Sequence, residues 1–267
     1  MKEITFTSKF HDNKLTFARV TKSEWIKFRS IRSNWIVLSL TVLVIVGFSA
    51  LSAIMSQHRN GPSDRTPFDR MLTGVNLSVL IISVFGGVLG SREYSSGMIK
   101  SSFSAVPRRL PVLFNRVIIF VATMLPLLLI SILAAFFIGS ALFKHDGTVV
   151  PKFGDPFIAR ALFGYAFYVL GLGILGLLIG FLTRQTALAI GITVGGILFL
   201  PALLGAILPS SWHKVLEYLP SNAGGAFTSP TAFSVNSLSP NMGGGVFLLW
   251  IIGVFVLTSY SMLSRDV

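Results

Sequence analysis

Apolar residues are concentrated in six long runs along the chain, and polar segments separate these runs. The runs extend roughly over residues 35–55, 71–90, 117–143, 161–182, 187–208 and 245–263. Each is long enough to cross a hydrocarbon core of about 30 Å as an α-helix, which needs ~20 mainly apolar residues. The pattern therefore predicts an all-α polytopic membrane protein, in which residues 1–267 form a single transmembrane domain and residues 35–263 its six-helix bundle.

The composition agrees with this prediction. Only 12% of the residues are charged, whereas soluble domains have roughly 25%. The formal net charge of +12 would also suit a nucleic-acid-binding protein, but the basic residues flank the apolar runs and form no single polar face. We therefore expect the lipid bilayer, and no nucleic acid, as a partner. The absence of cysteine excludes disulfides, thiolate metal sites and cysteine nucleophiles.

Lysine and arginine are unevenly divided between the two ends of the predicted helices. Fifteen of the 22 lie in the N-terminal segment, in the connections between runs two and three and between runs four and five, and at the C-terminus. Cytoplasmic loops carry the excess of these residues. We expect a multi-pass protein of the cytoplasmic membrane with both termini in the cytoplasm.

The cytoplasmic segment 1–34 combines basic residues with regularly spaced apolar ones. From Leu15 onward, apolar side chains recur mostly every three to five residues, at Phe17, Val20, Trp25, Phe28, Ile31 and Trp35. Thr21 and Glu24 have the spacing of a capping box. The period predicts an amphipathic helix that lies along the inner leaflet. The alternative is a plain basic flank, which needs charge but no apolar period.

The apolar runs also disfavour several functions. No Asp, Glu, Lys, Arg or His lies within them as bounded above, whereas proton relays and most ion-coupled transporters need such groups at membrane depth. Sodium coupling at broken helices stays open, although Pro126 and Pro201 are explained more simply as helix kinks. The four histidines lack metal-ligand spacing, and no GxxxxGK[ST] phosphate loop is present. We expect a chain that is not an enzyme and receives its energy from a partner.

Three short segments carry the most specific patterns. Residues 93–100 read EYSSGMIK and are followed by PRR at 107–109, residues 23–30 read SEWIKFRS, and residues 218–224 read YLPSNAG. Together they resemble ABC-2-type ABC transporter permeases, including actinobacterial members. The resemblance extends over essentially the whole chain. It implies six transmembrane helices preceded by an interfacial elbow helix, whose matching residues are Glu24, Trp25, Lys27, Phe28, Arg29 and Arg32.

The resemblance also implies that residues 91–111 include a cytoplasmic coupling helix that docks on a separate ATPase. The matching residues are Glu93, Tyr94, Gly97, Met98, Ile99, Phe103, Arg108 and Arg109. Their chemistry suits this role. Gly97 permits a turn or a close approach, three side chains offer an apolar face, and the two arginines can bind carboxylates or lipid phosphate.

Glu93 is a lone carboxylate among basic residues at the expected membrane boundary. Such a group is stable only when it is paired or hydrated. We expect it to pair with Arg92 or with a cation of the elbow helix (Lys27, Arg29 or Arg32), which would latch that helix to the second run. The alternative is a solvated glutamate with no special role.

Two further features are the glycines of runs four and five and the long polar segment before run six. Small residues spaced by four favour close helix packing, and we expect this of Gly171, Gly173, Gly176 and Gly180 in run four and of Gly191, Gly195 and Gly196 in run five. The external segment 209–244 begins with apolar residues, which predicts a short re-entrant or surface helix. By resemblance it acts as an external gate with Trp212, Tyr218, Pro220 and Asn222.

The resemblance implies a function as well. Two permeases, identical or related, would pair with two copies of a cytoplasmic ABC ATPase that binds ATP and Mg²⁺, with no cofactor in this chain. The cargo would be a drug, antimicrobial peptide, lipid or other amphipathic compound, as in efflux and multidrug resistance. The alternatives are a sensing or resistance module without bulk transport and, less favoured, an ion-coupled secondary transporter.

Overall fold

The computed structural model describes residues 17–57, 66–95, 109–144, 150–230 and 238–264, and every regular element in these ranges is helical. The α-helices are α1 (Phe17–Ser30), α2 (Arg32–Gln57), α3 (Pro67–Met71), α4 (Thr73–Ser95), α5 (Arg109–Lys144), α6 (Ile158–Thr183), α7 (Thr186–Ile190), α8 (Leu200–Ile207), α9 (His213–Leu216), α10 (Pro220–Phe227) and α11 (Pro240–Ser264). A π-helix, Gly191–Phe199, joins α7 to α8, and a 3₁₀ turn, Ser210–Trp212, precedes α9.

Six of these helices are long and apolar enough to cross a membrane, and they confirm the six predicted spans. They are α2, α4, α5, α6, α11 and the continuous element made of α7, the π-helix and α8, which we call span five. Long helices are the expected form because the backbone N–H and C=O groups must find partners within the segment when no water is present. The structure is therefore that of an all-helical, multi-pass membrane protein.

The helices extend further than the apolar runs suggest. The 36 residues of α5 would measure about 54 Å, well above a hydrocarbon core of about 30 Å. Arg116 falls within this span, Arg92 ends the span in α4, and Arg160 lies in the first turn of α6. The prediction that no Asp, Glu, Lys, Arg or His lies within the spans is therefore wrong for the helices as observed. The apolar runs were bounded by hydropathy, which left out the charged residues at the helix ends.

The centre of the bundle is a close contact between α4 and α6. A Cβ added at Gly86 of α4 would overlap the carbonyl oxygen of Gly173, and one at Gly176 of α6 would overlap that of Ser83. Only hydrogen fits at these positions, so the two backbones touch. The packing predicted for the glycines of run four is thus present, and α6 is the most buried span.

Span five packs much less closely. It is the least buried of the six spans, and a Cβ at Gly191, Gly195 or Gly196 would meet no atom within 4 Å in the described part of the chain. The packing predicted for these three glycines is therefore not found among the described residues. Pro201 lies in the first turn of α8, directly after the π-helix, and Pro126 lies inside the uninterrupted α5.

One end of the bundle, which we call the α3 end, carries the short helices. Thr66 and Asp69 form a capping box at the start of α3, and Phe68 packs near Phe136 of α5 and Tyr165 of α6. The 3₁₀ turn, α9 and α10 follow span five within the predicted external segment. Ala223 of α10 is fully buried. The opposite end, which contacts α1, is called the α1 end.

Candidate functional site at the α1 end of the bundle

Helix α1 packs on the bundle through one narrow face. Val20, Glu24 and Phe28 are 6%, 5% and 8% exposed, and their spacing of four residues places them on one side of the helix. Trp25 and Ile26 are exposed on the other side. The buried face therefore carries a carboxylate between two apolar side chains, which is costly unless the carboxylate is paired.

Glu24 is paired with two cations. Its Oε2 accepts hydrogen bonds from Nη2 of Arg116 at 2.7 Å and from Nε at 3.1 Å, and its Oε1 lies 2.8 Å from Nζ of Lys27. The Glu24 and Arg116 side chains are only 6% and 13% exposed, whereas Lys27 is 37% exposed. The pair with Arg116 is therefore the protected one, and it joins α1 to α5 across 92 positions of sequence.

Arg116 contacts two further helices. Its Nη1 donates to the carbonyl oxygen of Leu89 in α4 at 3.3 Å. Its guanidinium carbon lies 5.7 Å from the centroid of the Phe181 ring in α6, within the range of a cation–π contact. One side chain thus contacts α1, α4 and α6 from its position on α5.

Tyr94 extends this set of contacts at the end of α4. Its ring meets Phe181 edge-on with centroids 6.2 Å apart, and the Arg184 guanidinium lies 5.2 Å from its centroid. Arg184 caps α6 in the left-handed conformation, with φ of 58°. Tyr94 therefore ties the end of α4 to the turn between α6 and α7. We call Glu24, Lys27, Arg116, Phe181, Tyr94 and Arg184 the junction cluster.

The corner between α1 and α2 is also fixed by side chains. The fully buried Asn34 donates from Nδ2 to the carbonyl oxygen of Phe28 at 2.8 Å, and Trp35 donates from Nε1 to that of Arg29 at 3.0 Å. These bonds satisfy carbonyls that the end of a helix leaves without intrahelical partners. Thr21 donates to Oδ1 of Asn115, a further link from α1 to α5. Helix α1 is thus held at both ends.

A cavity of about 380 Å³ lies beside the junction cluster. It is lined by residues of α1, α2, α4 and α5, namely Glu24, Lys27, Phe28, Ser30, Ile31, Asn34, Leu89, Arg92, Arg116, Ile119 and Phe120. The charged groups lie among apolar ones. The arrangement can hold an amphipathic molecule or transmit a movement between helices. Among the described residues, no group of three or more His, Cys, Asp or Glu could hold a metal ion.

The predicted coupling residues fall mainly outside the described ranges. This applies to Gly97, Met98, Ile99, Phe103 and Arg108. Glu93 and Arg109 lie in the last turn of α4 and at the start of α5, but their side chains are not described. The latch through Glu93 therefore stays a prediction. Tyr94 is described, and it belongs to the junction cluster.

The structure contains a link from α1 to the bundle that sequence reasoning missed. Its carboxylate is Glu24 and its cation is Arg116, on the span after the one expected to hold the latch. The available signal was the position of Glu24 midway between Val20 and Phe28 on the apolar face of α1. The capping box predicted from Thr21 and Glu24 is wrong, because α1 already begins at Phe17 and both residues lie inside it.

The other residues of the predicted elbow helix divide between the two faces of α1 and the start of α2. Phe28 is buried and makes an edge contact with Phe85 of α4. Trp25 is exposed and stacks on Phe28 with centroids 6.3 Å apart. Arg29 and Arg32 are exposed. A helix is thus present where one was predicted, with its apolar side chains on both the bundle side and the outer surface, and its position along the inner leaflet stays a prediction.

The predicted gate residues lie together near the α3 end. Trp212 and Tyr218 are exposed, and Pro220 begins α10 and is buried. Nδ2 of Asn222 donates to the carbonyl oxygen of Leu216 at 2.9 Å, and Nε1 of Trp250 in α11 donates to that of Tyr218 at 2.9 Å. The first bond joins α10 to α9, and the second attaches the short helices to the last span.

Comparison with known proteins adds no assignment. No family model matches the chain, and no curated protein sequence matches it. The fold and the junction cluster therefore carry the functional argument.

Proposed function

We propose that the chain is the membrane-spanning subunit of an ATP-driven ABC-2-type exporter, with α1 as its elbow helix and residues 91–111 as its coupling region. Energy comes from a separate cytoplasmic ABC ATPase, which binds ATP and Mg²⁺ and is present in two copies. The chain itself is not catalytic. The cargo is an amphipathic compound such as a drug, a peptide or a lipid, which corresponds to efflux and resistance.

The observation that carries this proposal is the junction cluster. The segment 96–108 connects α4 to α5, and both helices meet at the Glu24–Arg116 pair close to that connection. A force on the segment would therefore reach α1, α4, α5 and α6 together. A partner that docks there has a direct mechanical route into the bundle, as an ATP-driven permease requires.

The pair is suited to transmission because breaking it is costly. Leaving a buried charge without its partner costs about 3–5 kcal/mol, so the helices at the α1 end move as a unit. The sequence motif EYSSGMIK begins inside this unit, since Tyr94 packs on Phe181. The position of the motif therefore supports a coupling role.

A second permease copy is part of the proposal. Among the described residues, span five is the least buried of the six spans, and Gly191, Gly195 and Gly196 face open space. In a two-fold dimer, a residue near the symmetry axis meets its own copy. Gly195→Cys is expected to form a disulfide between two copies in the membrane. Ile130→Cys, on the exposed surface of α5, is the matched control and is expected to stay monomeric.

The ATPase partner is tested by site-specific crosslinking. Since the chain contains no cysteine, Ile99→Cys provides a single thiol in the coupling region and Phe153→Cys provides one at the α3 end. Each variant is labelled with a thiol-reactive photo-crosslinker in native membranes. We expect Ile99→Cys to capture a protein with a Walker-motif ATPase domain, and Phe153→Cys not to capture it.

Two results would overturn the proposal. The first is a crosslinking result in which both positions capture the ATPase equally, or in which neither captures it although the chain is present at its native abundance. The second is uphill, gradient-driven transport by the chain purified and reconstituted alone, which is the behaviour of a secondary transporter. Transport and ATP hydrolysis by the reconstituted complex are then measured together. An exporter moves its cargo as ATP is hydrolysed, whereas a sensing module shows no bulk transport.

A further inference from the structure

An apolar groove adjoins the cavity beside the junction cluster. The groove has a volume of about 420 Å³ and lies between α2 and α4, where it is lined by Ser33, Asn34, Val37, Leu80, Ile81, Val84, Phe85, Val88, Leu89 and Arg92. Asn34, Leu89 and Arg92 line both the cavity and the groove. The two volumes are therefore adjacent, with charged groups in the cavity and an apolar lining in the groove.

Charge in this site favours an anion. The described residues that line the cavity include the carboxylate of Glu24 and the cations of Lys27, Arg92 and Arg116. Glu24 binds Arg116 through one oxygen and Lys27 through the other. The lining thus carries more positive than negative charge, and Lys27 and Arg92 are its more exposed cations.

The length of the groove is close to the hydrocarbon thickness of one leaflet. Leu80, Val84 and Val88 are spaced by four residues along α4, and Arg92 follows at the same interval. At 1.5 Å per residue, Leu80 and Arg92 are about 18 Å apart along the helix. Half of a hydrocarbon core of about 30 Å is roughly 15 Å, so one acyl chain would run along this stripe with its headgroup at Arg92.

We propose that this site binds one anionic phospholipid from the leaflet at the α1 end. The phosphate lies in the cavity near Lys27 and Arg92, and an acyl chain fills the groove between α2 and α4. The bound lipid braces α1 against these two spans at the place where α1 is also held by Glu24. This proposal does not depend on the identity of the energy source or the cargo.

The test is lipid binding to the purified full-length chain. Native mass spectrometry measures the affinity for phosphatidylglycerol and for phosphatidylcholine with identical acyl chains. We expect phosphatidylglycerol to bind at least about five-fold more tightly, because one cation near anionic lipid is worth ~1 kcal/mol. Glycerol 3-phosphate, which has the charge but no acyl chain, is expected to bind much more weakly.

Substitutions locate the site. Lys27→Gln and Arg92→Gln are each expected to reduce phosphatidylglycerol affinity by about five-fold. Arg29→Gln is the matched control, because Arg29 is exposed on the same helix and is absent from the cavity lining. Val84→Trp fills the groove and is expected to weaken both lipids, whereas Ile130→Trp on the exposed surface of α5 should weaken neither.

Several outcomes would overturn the proposal. Equal affinity for the two lipids would mean that charge is not recognised. A loss in Arg29→Gln as large as in Lys27→Gln would indicate a diffuse basic surface. Binding of glycerol 3-phosphate as tight as that of the lipid would mean that the groove is not used. A variant is included only if it elutes as a monodisperse peak and has the same thermal midpoint as the parent. If Lys27→Gln does not fold, Arg92→Gln provides the test of the charged part of the site.

Discussion

Glu24 is the residue whose environment differs most from that of an ordinary surface glutamate. It is 5% exposed and shares its two carboxylate oxygens between Arg116 and Lys27. Removing one partner of a buried ion pair leaves the other charge uncompensated. The geometry therefore predicts a strong dependence on Arg116 and a weaker one on Lys27, whose exposed ammonium is screened by water.

The first prediction is a double-mutant cycle on this pair. Glu24→Gln and Arg116→Gln should each lower the free energy of unfolding by about 3–5 kcal/mol, the range for broken buried pairs. The double variant should cost less than the sum of the two by at least ~1 kcal/mol, because it removes both charges. Denaturant titration in mixed micelles measures these values.

The control for the cycle is Glu217→Gln. Glu217 caps the end of α9 through its backbone and lies far from the junction cluster, so the same chemical change should cost less than ~0.5 kcal/mol. Additive costs at Glu24 and Arg116 would show that the two side chains do not interact, despite the 2.7 Å distance between them.

Sequence reasoning chose a different carboxylate for a physical reason. Glu93 stands out in the sequence because basic residues surround it, whereas Glu24 has the spacing of a capping residue. The partner of Glu24 lies 92 positions away, and no local pattern specifies which helix faces α1. Only the packing of α1 on α5 identifies the pair.

Elements were easier to predict than their contacts. The six spans follow from hydropathy because a helix in lipid must be long and apolar whatever it packs against. The helix ends were missed where charged residues such as Arg116 continue the helix beyond the apolar run. The glycines of runs four and five look alike in sequence. Among the described residues, however, a Cβ at each of the four in run four would meet a neighbouring helix, whereas one at Gly191, Gly195 or Gly196 would meet no atom within 4 Å.

This difference gives a second prediction at the scale of the element. Gly176→Ala would place a methyl group against the Ser83 carbonyl oxygen, so α4 and α6 must separate. Overpacking of this kind costs about 1–3 kcal/mol, which should lower the thermal midpoint of the purified protein. Gly253→Ala on α11 adds the same methyl group where no described atom lies within 4 Å and should change the midpoint little. Equal effects of the two substitutions would contradict the close contact.

The corner between α1 and α2 gives a third prediction. Asn34→Ala leaves the Phe28 carbonyl without its side-chain donor in a buried place, at a cost of about 1–3 kcal/mol. Trp35→Phe removes an exposed hydrogen bond to the Arg29 carbonyl, where water replaces the donor, and should cost less. A smaller loss for Asn34→Ala than for Trp35→Phe, measured by denaturant titration, would show that the buried bond does not fix the corner.

At the scale of the whole molecule, the two ends of the bundle differ both in their helices and in their number of basic residues. Of the 14 lysines and arginines in the described ranges, nine lie in α1 or in the helix ends beside it, and five lie toward the α3 end. The α3 end contains the short helices α3, α9 and α10. The positive-inside rule therefore predicts that the α1 end faces the cytoplasm.

The last prediction is this orientation, and the cysteine-free chain makes it direct to test. Lys22→Cys lies on the exposed face of α1, and Gly154→Cys lies in the exposed connection before α6. In intact cells, a membrane-impermeant maleimide should label Gly154→Cys and leave Lys22→Cys unlabelled. Permeabilised cells provide the control, since both thiols should then react. Labelling of Lys22→Cys in intact cells would place α1 outside, where no ATPase could reach the junction cluster, and would remove the basis of the proposed coupling.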